Sequence, residues 1–314
     1  MKRVLARVLI AAVLVTIVFA AAGCGKKAPE TLKVGIMPAV NSLPLIIAKH
    51  NGYFEAEGLS VELLQFQSQT DRESALQAGQ IDGTVTDLIN AVTEVANGFP
   101  VKVASGTDGR FALLASAKSG FQSLADLRGK TGLSTGLIAN SVVVFETERF
   151  LTKAGLPLDT YELTSIPQIP ARLEALAAGQ TQLALLPEPL ATMAEIQGAK
   201  LLADTEGEAS TAGALVFTDA AIRDKAKALK AFYRAYDKAV AELNANWANY
   251  KDVIVTEGQF PPPVKDALKP QTFRAHYLPT REEVGEIIDW MIGKGSLKPG
   301  QVTYEQLVTE AFSR

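Results

Sequence analysis

The chain has 314 residues, 47% hydrophobic, 21% charged and 7% aromatic, with a formal charge of −3. That is globular composition with enough length for two domains, and a slightly acidic balance lacks the basic footprint that nucleic-acid binding needs. One cysteine and two histidines exclude a disulfide framework and a cysteine-based zinc site, and leave little for triad chemistry.

In chain order, Lys2, Arg3 and Arg7 precede an apolar run from Val8 to Ala22, interrupted only by Thr16. A fifteen-residue run is short for a membrane span and right for a signal peptide over 1–23. Ala21-Ala22-Gly23-Cys24 resembles the bacterial lipobox, which predicts acylation of Cys24 as the new N-terminus and anchoring in the membrane. Residues 24–31, polar with a proline, read as a tether.

Strands alternate with helices from there on. The expected order is strand 32–36, helix 43–57 stopped at Gly58, strand 59–66, helix 71–78 with Gly79 past its end, strand 81–86, helix 88–97 and strand 101–104. A second series follows: strand 131–134, helix 141–154, strand 161–166, helix 171–178, strand 183–186, helix 188–197 and strand 200–203. The two series are related at an offset of 100. Ala75-Leu76-Gln77-Ala78-Gly79-Gln80 recurs as Ala175-Leu176-Ala177-Ala178-Gly179-Gln180, and Arg72 and Glu62-Leu63 recur as Arg172 and Glu162-Leu163. Alternation of this kind predicts an α/β architecture with parallel pairing and right-handed crossovers, duplicated as two lobes. Ala214–Phe217 then reads as a strand, and Asp219 or Asp224 as the cap of a long helix. Its stripe of Ile222, Ala226, Leu229, Tyr233, Tyr236, Val240, Leu243 and Trp247 faces a core. Phe260-Pro261-Pro262-Pro263 breaks the chain before helices near 264–268 and 282–292, and this last third is expected to pack on the first lobe.

The lipobox, the tether and the duplicated lobes together resemble a solute-binding lipoprotein of an ABC importer. The pieces carrying the resemblance are Leu32–Ile36, Leu45–Phe54, Glu57-Gly58-Leu59, Ala78–Asp82 and Leu124–Lys130. They are similar to the branch containing aliphatic-sulfonate, nitrate, taurine and thiamine-pyrimidine binding proteins. The resemblance implies a bilobal type II periplasmic-binding-protein fold: two mixed-sheet α/β lobes with a ligand cleft between them. It puts lobe I at 32–118 plus 209–314 and lobe II at 119–208, with crossovers near 116–121 and 206–211. It further implies capture of a small polar or anionic molecule by lobe closure, delivery to an ABC permease, a monomer, no cofactor, and a location outside the bacterial cytoplasmic membrane. A sensor that presents ligand without transport would share fold and site. A thiamine-pyrimidine-synthase-like enzyme would need a cysteine-rich motif and an active-site histidine.

Ligands of open α/β sheets lie beyond the carboxyl ends of the strands, which selects loops without reference to any family. After the first strand come Asn41 and Ser42, after the third Asp87 and Asn90, and after the fourth Thr107. In the second series Ser134, Thr135, Asn140 and Ser141 lead into a helix whose free N–H groups favour an anion. Pro187 and Glu188 stand where Thr86-Asp87 stand in the first series, and Thr211 lies at the return crossover. Each of these polar residues can also be a plain helix cap. Acidic Asp87 and Glu188 opposite helix donors point to a ligand carrying both an anionic and a donor group.

Overall fold

The computed structural model describes residues 30–208 and 211–312. The expected signal peptide, Cys24 and all but the end of the tether lie outside them. In the first half, β1 (Glu30–Ile36), α1 (Leu43–His50), α2 (Tyr53–Ala56), β2 (Leu59–Gln65), α3 (Gln69–Gln77), β3 (Gly83–Asp87), α4 (Leu88–Ala96) and β4 (Val101–Thr107) follow one another. The second half runs β5 (Phe111–Ala115), β6 (Leu133–Leu137), α5 (Val142–Lys153), β7 (Tyr161–Ser165), α6 (Ile169–Ala178), β8 (Leu183–Pro187), α7 (Leu190–Ile196) and β9 (Lys200–Asp204). Then come β10 (Gly213–Thr218), α8 (Asp219–Asp224), α9 (Ala226–Asn246), α10 (Lys251–Thr256), α11 (Arg281–Gly293) and α12 (Tyr304–Leu307).

The strands form two five-stranded sheets of one design. The first has the order β2-β1-β3-β10-β4 and the second β7-β6-β8-β5-β9. In each, a parallel pair (β1 with β3, β6 with β8) meets an antiparallel strand, β10 in the first sheet and β5 in the second. Each sheet therefore takes one strand from a linker between the halves, and the chain passes between sheets twice, at 108–110 and at 205–212.

The first passage corrects the expected boundary near 116–121. Phe111–Ala115 pairs with β8 and β9 in the second sheet, so the chain leaves the first sheet right after Thr107. Only three residues separate β4 from β5, and β5 is a short apolar run with no polar residue to mark its sheet. The boundary expected from sequence puts 111–115 in lobe I.

The repeat is visible at backbone level. β3 and β8 start and end at the same offset of 100, and α3 and α6 start at it. Gly79 and Gly179 follow these helices with φ of 68° and 71°, a left-handed conformation that glycine adopts without steric cost. The expected helix 43–57 is instead two helices, because Gly52 turns the chain at φ 66°. The long amphipathic stretch starts as α8, capped by Thr218 rather than by Asp219 or Asp224, and continues as α9. Its Phe232, Tyr233 and Tyr236 bury against α1 and α2, with Phe232 stacked on Phe54 at 5.3 Å. The expected helix near 264–268 is only a 3-10 turn over Pro262–Val264. Helix α11 packs on α4 of the first half and also reaches α5 of the second. There Trp290 meets Phe145 edge-on, and Glu148 accepts bonds from Trp290 Nε1 at 2.9 Å and Lys294 Nζ at 2.5 Å.

Candidate functional site

A cavity of about 100 Å3 lies between the two halves, walled by the loops that follow β1, β3, β6 and β8. This is the carboxyl-end position expected for an α/β sheet. Its apolar walls include Met37, Val40, Val85, Phe111, Ile138 and Ile169. A wider space of about 310 Å3 adjoins it, sharing Met37, Ile169, Pro187 and Glu188 and extending to Met193 and Pro261.

Six of the twelve residues singled out from sequence line the cavity: Asn41, Asp87, Ser141, Pro187, Glu188 and Thr211. Asp87 ends β3 and caps α4, accepting from Asn90 N at 2.9 Å and from Asn90 Nδ2 at 2.7 Å. Burial pushes its carboxyl up to about 6, against the pull of those bonds and of Arg72. Ser141 precedes α5 and donates to Ile138 O at 2.5 Å. Val142 and Val143, which also line the cavity, bring the first-turn N–H groups of α5 to its wall. Thr211 is buried with its Oγ1 unpartnered.

Glu188 is otherwise than expected. It is 1% exposed, and its carboxylate is fully occupied within the second half. Arg110 Nη1 donates to it, as do Thr192 N at 3.0 Å and Thr192 Oγ1 at 3.0 Å. Arg110 also donates to Asp204 at 2.6 Å. A carboxylate with these donors is an anchor for α7 and for the first linker, not an open acceptor for a ligand.

The other six residues are not on the cavity wall. Ser134 and Thr135 fall inside β6, which begins two residues and ends three residues later than expected. Thr135 donates to Leu133 O at 2.8 Å, and Ser134 Oγ accepts from Gln182 N at 3.1 Å. Asn140 is exposed at φ 52°, a turn position that asparagine tolerates. Asn90 lies behind Asp87 and accepts from Gln69 Nε2 at 2.6 Å. Ser42 and Thr107 are buried in the first half, each with an unpartnered hydroxyl.

Two residues that the sequence reading noted only as repeat markers stand on the wall: Arg72 and Arg172. Arg72, on α3, donates from Nη2 to Glu73 Oε1 at 2.6 Å and to Thr86 Oγ1 at 2.7 Å. Arg172 occupies the same place on α6. It is 3% exposed and donates from Nη1 to Leu185 O at 3.0 Å, while its Nε has no partner. Among the described residues no carboxylate lies within ion-pair reach of it, since Leu173 stands where α3 carries Glu73. Its stem passes over Gly136, where a Cβ would come within 3.5 Å of Cγ. Burial alone pushes the guanidinium down to about 10, so it stays charged at neutral pH. A buried, charged and unmatched guanidinium is costly unless an anion meets it. The signal was present in the sequence, because the repeat aligns the two arginines and shows the change from Glu73 to Leu173.

His50 pairs with Glu257 at 2.6 Å, and His276 Nε2 lies 2.7 Å from Ala104 O. Both sit away from the cavity wall.

Comparison with known proteins agrees with this architecture. A putative aliphatic sulfonates-binding protein of Bacillus subtilis (strain 168) is 31% identical over 132 residues, 38% of this chain and 39% of that protein. A putative ABC transporter periplasmic binding protein of Brachyspira hyodysenteriae is 24% identical over 76% of this chain and 75% of its own. The chain thus matches under half the length of the first relative and three quarters of the second. Among solved structures, the alkanesulfonate-binding protein SsuA of Xanthomonas axonopodis pv. citri, bound to MOPS, superposes with a TM-score of 0.73 at 21% identity. That match covers 90% of this chain and 99% of the other. The fold is that of the periplasmic binding proteins, and residues 39–247 match the family described as NMT1/THI5 like. With two thirds of its length inside that match, the chain belongs to the NMT1/THI5-like family.

Proposed function

We propose that the chain is the extracytoplasmic solute-binding subunit of an ABC import system, taking a small organic anion into the cavity between its halves. The observation that carries this is Arg172: a buried cation on the cavity wall with no carboxylate to match it among the described residues. An anion placed there also meets the unpartnered Thr211 hydroxyl and the first amides of α5, whose dipole favours negative charge. The sulfonate binders among its relatives support an anionic ligand.

Capture works by closure. The anion receptors lie on the second half and on the returning linker, while Asn41 and Asp87 belong to the first half. Only the closed arrangement brings both sets to one ligand, so ligand shifts the population toward it. The motion falls on the two passages between the sheets, the first at 108–110 and the second between β9 and β10. Acylation at Cys24 would hold the protein at the outer face of the membrane beside its permease.

The test is thermal unfolding of the full chain against alkanesulfonates, nitrate, carboxylates and uncharged analogues. A ligand at 100 times its dissociation constant adds about 2.7 kcal/mol of stability. Anions should raise the midpoint, uncharged analogues should not, and Arg172→Gln should abolish the rise. A rise with uncharged analogues only, or one untouched by Arg172→Gln, overturns the reading.

A further inference from the structure

The first passage between the sheets is three residues long, and its two ends are fixed to different halves. Asp108 is held by the first half. Its carboxylate accepts from Arg274 N at 2.6 Å, from Nε at 2.8 Å and from Nη2 at 2.6 Å. The segment carrying Arg274 is itself locked in place. Phe273 N donates to Asn244 Oδ1 on α9 at 3.0 Å, and Tyr277 O accepts from Gly106 N on β4 at 2.8 Å. The Tyr277 ring fills the space beside Gly106, where a Cβ would come within 2.3 Å of it, and the Arg274 guanidinium lies 3.6 Å from the centre of that ring. Arg110 is held by the second half. Glu188 and, at 2.6 Å, Asp204 take its guanidinium, and its carbonyl accepts from Glu188 N at 3.0 Å. Between these two ends, Gly109 makes no hydrogen bond to any described residue.

Resting on the reading of capture as closure, we propose that Gly109 is the swivel of the first passage, and that the Asp108–Arg274 and Arg110–Glu188–Asp204 pairings are clamps that confine rotation to it. A backbone dihedral turns most readily where no bond resists it. Turning Asp108 breaks its bonds to Arg274, and turning Arg110 strips a buried cation of two carboxylates. Gly109 turns without either loss, and lacking a Cβ it has the widest range of backbone angles. Within this passage the clamps therefore leave one pivot, so the closing halves meet over the cavity in one register. The arrangement described here does not itself demand glycine. Gly109 is not at positive φ, and an added Cβ would meet Asn41 Cβ at 3.6 Å and Val40 Cγ2 at 3.9 Å, ordinary contact distances. The freedom of glycine at this position serves the motion, not the closed state. Gly109 also lines the cavity beside Asn41 and Arg110, so a molecule held between the halves rests against the pivot and stops it.

The experiment reads the ligand-free ensemble of the full chain by pulsed electron-spin distance measurement. Spin labels are attached at Gln67→Cys and Gln197→Cys in a Cys24→Ser background. Both positions are exposed, lie on opposite halves and line the wider space beside the cavity. The unmodified passage should give a short and a long distance population. Gly109→Ala fits the described arrangement and removes backbone freedom from the others, so it should lower the long population about three-fold. Arg274→Gln frees Asp108, adds a second pivot, and should raise and broaden the long population. Asp108→Asn unpairs the same clamp from its other side and should do the same, which keeps the test decisive if one clamp variant fails to fold by circular dichroism. Gly109→Ala, or a folded clamp variant, that keeps the distribution of the unmodified passage overturns the swivel and leaves closure standing. A single narrow distance in the chain with the unmodified passage overturns closure itself, and the swivel with it.

Discussion

The two halves carry the same arginine at the same place and use it differently. On α3, Arg72 sits beside Glu73 and is consumed by it, with Thr86 taking a further bond. On α6, Arg172 sits beside Leu173, which packs into the small core of the second half, and only one backbone carbonyl meets its guanidinium. The helices, the glycines that end them and the strands that follow are otherwise matched. One change from an acid to leucine therefore separates a structural ion pair from a receptor. Duplication supplies a buried cation on each wall of a cleft, and the neighbouring residue decides whether the protein or the ligand neutralises it.

The comparison makes its largest prediction for a matched pair of variants. Arg72→Leu strands Glu73 near Asp87 without a counter-ion, and should cost about 3 kcal/mol. Arg172→Leu removes an unmatched charge, and should leave the ligand-free protein as stable as before or slightly more so. Calorimetric melting of both decides it, and equal losses would mean that the halves do not differ as described. Next, Leu173→Glu recreates the Arg72–Glu73 arrangement on α6. It should weaken anion binding about 100-fold, or about 2.7 kcal/mol, with the fold intact by circular dichroism. An unchanged affinity would show that Arg172 is not the receptor.

The pH dependence of the ligand-free protein should follow from the raised carboxyls. Burial lifts Asp87 to about 6, with Arg72 and Glu73 facing it, and Glu146 to about 7, with Arg149, Glu208 and Glu286 around it. The folded protein then holds protons that the unfolded chain has already released between about pH 4 and 7. Stability should fall as pH rises through that window, by about 1.4 kcal/mol for each unit by which a carboxyl is raised. Denaturant midpoints at pH 5 and pH 8 check the sign, and Asp87→Asn should flatten the slope. Glu188→Gln comes next in size. It weakens the anchor that Arg110 and Thr192 make, and should lower stability by about 1 kcal/mol while ligand affinity stays within two-fold. The smallest expected effect is that of Ser134→Ala. Ser134 lies in β6 away from the cavity, so stability should move by less than about 0.5 kcal/mol and affinity not at all.

Much of the fold was legible because its signals are local. Alternation marked the strands, and the repeat of Ala75–Gln80 at 175–180 announced the second half. What failed was short or context-dependent. Strand β5 is five apolar residues three positions after β4, and nothing within it says which sheet it joins. The register of β6 slipped because Ser134-Thr135-Gly136 has loop composition, yet the parallel ladder with β7 holds it extended. That shift takes Thr135 from the expected loop into the strand and Ser134 from the strand's end to its interior. Asp87 could be placed from sequence, since it ends a strand and opens a helix. Glu188, one position past the residue that matches Asp87, faces Arg110, which comes from a linker 78 residues earlier.

The sequence by itself determined the alternation of strands and helices, the duplication, the ends of α3 and α6 at Gly79 and Gly179, and the loops that face the cleft. These follow from side-chain period, from glycine's freedom at positive φ, and from the rule that ligands lie at strand carboxyl ends. Tertiary structure decided which charges remain unmatched. Arg72, Arg110 and Arg172 are all buried arginines, and only the partners brought to each by distant segments tell them apart. Glu73 and Thr86 close on the first, Glu188 and Asp204 on the second, and no carboxylate among the described residues on the third. Burial sets the cost of each charge, and the fold alone sets which of them is left for a ligand.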